Sequence, residues 1–320
     1  MPTNILPYFK CILQLNRITA TFIQRSEGYS HDKLTRMLNQ EISWKRAYFL
    51  LVHRLFGGLR GGYLIIDDTV LAKPFGKTFA KASWTYSSAK DEVVFGYNIV
   101  FICWSKGLLT IPLAWRWYEK DGKSKVEFAL ELLDEVKRYW KISPEYVLFD
   151  SWYASSRILD HLDSLRWKFV TQLKKNRLIN GISPKKLFTT TKRRKDQAIQ
   201  GYITPTKLFM ATILKHEKKL FATNDPSVDI LKIYGERWAI EEMFRFLKTS
   251  LNLEKCQAVT KTSQEKHLLI CILGYLVLSK EQQVTKKPIS LYAIKELWVL
   301  NRKVSSNRIR HYSKILVSVA

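Results

Sequence analysis

Residues 234–248 read Tyr-Gly-Glu-Arg-Trp-Ala-Ile-Glu-Glu-Met-Phe-Arg-Phe-Leu-Lys. The stretch has no Gly or Pro after Gly235 and is rich in helix formers, which predicts a helix from Arg237 onward. At about 100° per residue from Tyr234, Arg237 falls near ~300°, Glu241 near ~340° and Lys248 near ~320°. Ala239, Ile240, Met243, Phe246 and Leu247 fall on the other side, between about 120° and 240°. One face is therefore core. The opposite face lines up a guanidinium, a carboxylate and an ammonium, with the Tyr234 phenol beside them. On a lone helix such a face is ordinarily just solvated charge.

Two other stretches bear on that helix, because each ends an apolar run in acid. Tyr63-Leu-Ile-Ile-Asp-Asp-Thr69 predicts a buried strand that delivers Asp67 and Asp68 at its tip, and Tyr146-Val-Leu-Phe-Asp150 repeats the device. A Lys-Pro-Phe-Gly turn follows the first at 73–76. Val93–Trp104 and Leu108–Trp117 read as strands joined through Ser105-Lys106-Gly107 as a hairpin. Val126–Tyr139 is an amphipathic helix with Phe128, Leu132, Leu133 and Val136 on one side, Ser155–Leu165 is a helix, and Trp167–Leu173 is a strand. Three strands, a helix, a strand, a helix and a strand is the order of an RNase H-like α/β fold, a mixed sheet with flanking helices. Parallel neighbours put their acids on one edge of the sheet, where open α/β sheets carry out chemistry.

The outer segments read more simply. Residues 1–60 are helical and broken near Ser26–Ser30, with Ser30 capping a segment that runs to Gln40 and a second segment from Ser43 to Phe56. Two short helices with a tight connection match a helix-turn-helix DNA reader, although most helical pairs are not one. Gly57–Gly62 marks a domain boundary. The core is then expected in residues 61–173 and 228–285. Between those pieces, 174–227 reads as a basic, β-rich insertion containing Leu208–Leu214 and Leu220–Thr223. Its cations include Lys174, Lys175, Arg177, Lys185, Lys186, Lys192, Arg193, Arg194 and Lys195. His267–Leu278 predicts an apolar helix packed on the sheet. A basic helical tail, 286–320, carries Arg302, Lys303, Arg308, Arg310 and Lys314, which either lie along DNA or are solvated.

Charge narrows the choice of partner. The chain has 53 Lys plus Arg against 28 Asp plus Glu, a formal net charge of +25. A globular protein this basic, with 46% apolar residues to build a core, faces a polyanion, and nucleic acid is the leading candidate. Cys11, Cys103, Cys256 and Cys271 are scattered without a CxxC pair, which argues against a disulfide framework or zinc ribbon and fits a reducing compartment. The six histidines are equally dispersed. No signal peptide opens the sequence, and Leu268–Leu278 falls short of the ~20 apolar residues of a membrane span. The expected location is the cytoplasm, with the protein nucleoid-associated when on DNA and without a membrane partner.

Ile65–Thr69, Val147–Ser155 and Tyr234–Lys248 together resemble the DDE transposases of bacterial insertion sequences, the group with a Tyr-x2-Arg-x3-Glu-x6-Lys signature. The resemblance spans residue 63 to about 280. It implies an RNase H-like core with a β insertion between the second Asp and the Glu, and a catalytic triad of Asp67 or Asp68, Asp150 and Glu241. Which of Asp67 and Asp68 serves is open, since strand alternation points them to opposite faces. Phosphodiester chemistry with two divalent ions needs carboxylates from separate parts of the chain, so the same acids would bind Mg²⁺ or Mn²⁺. By the same resemblance Tyr234, Arg237 and Lys248, together with Arg245, would face DNA phosphates. The implied function is metal-dependent cleavage at transposon ends and strand transfer into target DNA, by a dimer on DNA. Alternatives are a stand-alone RNase H-like nuclease and an inactive or domesticated DNA-binding protein. Asp150 is followed by Ser-Trp-Tyr, where some members of the group carry Arg.

Overall fold

The computed structural model describes residues 5–41, 43–74, 76, 78–87, 89–188, 196–285 and 289–318. Phe75 of the expected turn, and Lys192, Arg193, Arg194 and Lys195 of the basic segment, lie outside these. The elements run α1 (Leu6–Gln14), α2 (Ala20–Glu27), α3 (His31–Asn39), α4 (Lys45–Phe56), β1 (Tyr63–Ala72), β2 (Ser83–Ser87), β3 (Glu92–Lys106) and β4 (Leu109–Tyr118). There follow α5 (Lys125–Glu135), β5 (Tyr146–Phe149), α6 (Ser156–Ser164), β6 (Phe169–Leu173), α7 (Pro184–Leu187), β7 (Gln197–Gly201), β8 (Ala211–His216) and β9 (Lys219–Thr223). The chain closes with α8 (Ile230–Gly235), α9 (Trp238–Thr249), α10 (Lys261–Val284), α11 (Leu291–Leu300) and α12 (Arg302–Ser318).

The chain divides into two compact units. One comprises Arg60–Thr69 and Asn98–Glu241 and holds most of a mixed sheet ordered β3-β1-β5-β6-β9-β8-β7, with β4 on β3. β1, β5 and β6 are parallel, while β6–β9, β9–β8 and β8–β7 are antiparallel. The basic segment thus supplies strands that continue the sheet. Its first expected strand, Leu208–Leu214, is shifted to Ala211–His216, because Gly201 to Ala211 opens the β7–β8 pairing and Leu208 and Met210 are exposed. The β3–β4 hairpin forms as expected and turns through Gly107, whose φ of 59° suits glycine.

Three expectations in this unit are corrected. Asp67 and Asp68 do not end a strand: β1 runs on to Ala72, and what ends near them is the parallel ladder with β5, at Ile66↔Phe149. The helix expected over Val126–Tyr139 is α-helical only to Glu135 and continues as a π turn over Val136–Trp140. A short helix, α8, precedes the signature helix, which starts at Trp238 with Arg237 at the junction. Asp229 caps α8 through Lys232 N. The sequence did not suggest this break, since helix formers stand on both sides of the junction.

The other unit comprises Met1–Leu59, Val70–Tyr97 and Glu242–Ala320. In it β2 pairs antiparallel with the first half of β3, from Ser83↔Gly96 to Ser87↔Glu92. The sequence did not suggest β2, whose exposed Trp84 and Tyr86 alternate with less exposed residues. α10 is apolar on all sides, and it is buried on all sides, among α1, α3, α4 and α11. Gly274 faces α1, where an added Cβ would make ordinary contact with Leu13 at 3.4 Å and Ile12 at 3.5 Å. Ser30 precedes α3 as expected but makes no side-chain cap. Lys295 donates to Leu13 O (3.0 Å) and Leu15 O (3.2 Å), and Lys266 donates to Met37 O, so buried ammoniums satisfy the carbonyl ends of α1 and α3. Of the tail cations, Arg302 pairs with Glu27 and Arg308 with Glu281, whereas Lys303, Arg310 and Lys314 are exposed. Among the described residues no helix is long and apolar enough to cross a membrane.

Candidate active site

Asp67 and Asp150 are placed by strand register. Ile66 and Phe149 are the last paired residues of the parallel β1–β5 ladder, so the next residue on each strand is an acid. The two carboxylates feel one another: burial, then Asp150 and Asp68, push Asp67 up to about 7 against the pull of Arg237. Asp150 is also raised by burial, partly offset by N–H bonds from Trp152 (2.9 Å) and Tyr153 (3.4 Å) to its Oδ1. Those bonds make the loop after β5 a tight turn around its own acid. Ser155 then caps α6 by accepting from Ile158 N.

Asp68 faces a different set of partners. Its Oδ1 accepts from the Tyr153 hydroxyl at 2.8 Å, and its Oδ2 pairs with Lys125 at 2.7 Å. Tyr153 is fully buried. Lys125 opens α5, and its position is set by a capping box in which Ser124 Oγ accepts from Glu127 N and the Glu127 carboxylate accepts from Ser124 N. The sequence reading missed Lys125 and Tyr153. Ser124-x-x-Glu127 was a visible helix-start signal, but nothing local marked either side chain as a partner of an acid 57 or 85 residues away.

Arg237 joins the remaining acid. Its Nη1 donates to Asp67 Oδ2 at 2.8 Å and its Nη2 to Glu241 Oε1, one helical turn on. Its guanidinium lies 5.5 Å from the centre of the Tyr234 ring, which packs edge-on against Phe221. Burial raises Tyr234, with Arg237 opposing. Asp67, Asp68, Asp150, Tyr234, Arg237 and Glu241 all lie in the same unit.

The signature helix continues past Glu241. There Arg245 is exposed and ion-paired with Glu242, and Lys248 donates to Val70 O at 2.8 Å with Glu254 at 3.7 Å. Burial lowers the Lys248 ammonium. Ile240, Met243, Phe246 and Leu247 of the expected core face are buried and Phe244 with them, whereas Ala239 is only half-buried.

Among the described residues no three His, Cys, Asp or Glu groups stand ready to hold a metal ion, and the Arg237 guanidinium spans Asp67 and Glu241. The donor chemistry nevertheless fits a hard divalent cation. Asp67 and Asp150 are raised first by burial and further by neighbouring acids, a penalty on the charged form that a divalent positive charge relieves.

A family model described as the transposase DDE domain matches residues 60–277. The chain belongs to the DDE transposase family. Its function is that of a DNA transposase, and the family uses divalent metal ions. A cryo-EM structure of the piggyBac transposase synaptic complex with hairpin DNA is similar, with TM-score 0.59 and 12% identity over 97% of this chain and 72% of that one. At that identity the likeness speaks to the mixed α/β fold, a mixed sheet flanked by helices. No curated protein matches in sequence.

Proposed function

We propose that this transposase cuts DNA at the ends of a mobile element and joins the freed 3′ ends to target DNA, using Asp67, Asp150 and Glu241 as its acids. The observation that carries the reading is the convergence of Asp67 and Asp150 at the end of the β1–β5 ladder, with Arg237 bridging Asp67 to Glu241. An RNase H-like core and membership of the insertion-sequence group accord with the strand order and with the Tyr234, Arg237, Glu241 and Lys248 spacing. Divalent cations, Mg²⁺ or Mn²⁺ and two in number, would be held by the three acids and would neutralise charge on the attacking and leaving oxygens.

The protein's own groups carry the remaining tasks. Asp68 stays engaged by Tyr153 and Lys125, and so ties β1 to the loop after β5 and to α5. That network holds Asp67 and Asp150 in register. Arg237 neutralises two crowded carboxylates and presents a planar donor set that suits a phosphate. Tyr234 supports the guanidinium by its ring. Lys248 and Arg245, on the later turns of α9, would each add a phosphate contact. Two copies on paired DNA ends would place one such site at each end.

Glu241→Gln tests the assignment, because it keeps the acceptor for Arg237 and the volume of the side chain while removing a carboxylate. Cleavage of the flanking inverted repeats should be lost with Mg²⁺ present, and binding of the same DNA should persist. Cleavage at the wild-type rate would remove Glu241 from the triad.

A further inference from the structure

The last helix carries a pattern that the proposed reaction does not use. α12 reads Arg-Lys-Val-Ser-Ser-Asn-Arg-Ile-Arg-His-Tyr-Ser-Lys-Ile-Leu-Val-Ser and contains no acid. Its buried residues, Ser305, Ile309, Tyr312 and Leu316, recur at helical intervals and form one stripe. Lys303, Asn307, Arg310 and Lys314 repeat the same intervals on the opposite side, and all four are exposed. At about 100° per residue they fall within about 60° of one another.

The helix is bolted in place through its inner side. Gln14 is buried, and its Nε2 donates among Arg302 O at 3.1 Å, Ser305 Oγ at 2.6 Å and Ser306 Oγ at 3.0 Å. Tyr312 donates to Glu281 Oε1 at 2.7 Å, and the same carboxylate pairs with Arg308 at 3.7 Å. Arg302 pairs with Glu27 at 2.8 Å. The acids that reach α12 are thus taken by Arg302, Arg308 and Tyr312, and Lys303, Arg310 and Lys314 have no acid partner among the described residues.

A helix face that is only solvated intersperses both signs, because like charges a turn apart repel. A fixed row of cations without acids is complemented instead by a row of anions. Lys303 and Arg310 lie about 10 Å apart along the axis and Arg310 and Lys314 about 6 Å, a row that passes about five phosphates of one DNA strand. A lipid surface fits less well. An interfacial helix sinks its apolar side into the bilayer, and here Ile309, Tyr312 and Leu316 are already buried in the protein.

We infer, on the DNA function alone and not on the assignment of the acids, that Lys303, Arg310 and Lys314 form a contact surface for the phosphates of duplex DNA, engaged without regard to base sequence. Ammoniums and a guanidinium on phosphates hold and position a duplex but carry no sequence information.

The test measures binding of the full chain to a random-sequence duplex and to an inverted-repeat duplex of the same length, without Mg²⁺ so that the acids and their metal play no part. In the triple variant Lys303→Gln, Arg310→Gln, Lys314→Gln the slope of log K against log salt should be about 2.7 shallower, three contacts at about 0.9 each. Raising salt from 50 to 200 mM should then cost the wild type about 40-fold more affinity than the variant, on both duplexes. The swap Lys303→Arg, Arg310→Lys, Lys314→Arg should keep the wild-type slope. Lys120→Gln, Lys137→Gln, Arg138→Gln removes the same charge from exposed positions in the other unit and should stay within about 0.9 of the wild type. A stripe variant with the wild-type slope, or a control variant that falls as far, overturns the surface and returns α12 to solvated charge. A fall on the inverted repeat alone would make α12 a sequence reader and overturn it as well. Anionic vesicles that hold the wild type and release the stripe variant, with duplex binding unmoved, would assign the surface to lipid instead.

Discussion

Ionised Asp67 should cost the fold stability, and the cost should depend on pH in a stated direction. Burial and two neighbouring acids carry its carboxyl from the ordinary 3.8 up to about 7, despite Arg237. A carboxyl raised in the folded state binds its proton more tightly there than in the unfolded chain. Its penalty is therefore absent at low pH, grows as pH rises from about 4, and is complete above about 7. At ~1.36 kcal/mol per pH unit the full penalty is about 4 kcal/mol, of which roughly 2.7 kcal/mol accrues between pH 5 and 7. Asp67→Asn removes the titrating group and keeps an acceptor for Arg237. The variant should gain on the wild type by about 2 to 3 kcal/mol between pH 5 and pH 8, read from urea midpoints at both values. Mg²⁺ at pH 8 should stabilise the wild type and leave Asp67→Asn nearly unmoved, since a cation that binds only the native acids adds to stability by mass action. A gap between the two proteins that is the same at pH 5 and pH 8 would refute the reasoning. It would make Asp67 an ordinary partner of Arg237.

Three further outcomes are expected. Arg237→Ala should lower the slope of log K against log salt for duplex ends by about 0.9, the value for one lost phosphate contact, and an unchanged slope would return Arg237 to intramolecular pairing alone. Lys248→Ala should show a similar fall and also cost about 1 kcal/mol of stability in denaturant melts, because Val70 O loses its donor. Lys295, pushed down to about 8 by burial, is penalised while charged, so its contribution to stability should rise by about 3 kcal/mol from pH 8 to 10.5, and the gap between wild type and Lys295→Met in urea midpoints should change by that amount.

The elements that sequence reading placed well are those whose signal is local and periodic. The signature helix buries Ile240, Met243, Phe246 and Leu247 because a 3.6-residue period needs no knowledge of the partner. The β3–β4 hairpin follows from two apolar runs and one glycine. What the sequence left unsaid depended on distant packing. β2 exposes Trp84 and Tyr86, so it lacks a clean buried face, and it is a strand because β3 offers it an edge. α10 is apolar all round, which says that it is buried without saying by what. Its neighbours α1 and α11 lie roughly 250 residues earlier and in the next segment, and no window of sequence joins them.

The acids show the same division within a single dipeptide. Alternation along β1 states that Asp67 and Asp68 diverge, but it cannot say which direction leads to Asp150. That depends on the β1–β5 register, in which Ile66 meets Phe149 across about 80 residues. Once the register is known, the two roles separate on chemistry. Asp68 is held by a phenol and an ammonium, partners that lower the demand for a further cation. Asp67 meets Arg237 and the fields of two acids, and its carboxyl remains raised even so. Removing charge at Asp68 should therefore loosen Tyr153 and Lys125, whereas removing it at Asp67 should relieve a strained site and take metal binding with it. Calorimetric titration of Mn²⁺ into Asp67→Asn and Asp68→Asn reads the difference directly. Loss of binding in the Asp68 variant alone, with the Asp67 variant unaffected, would reverse the assignment.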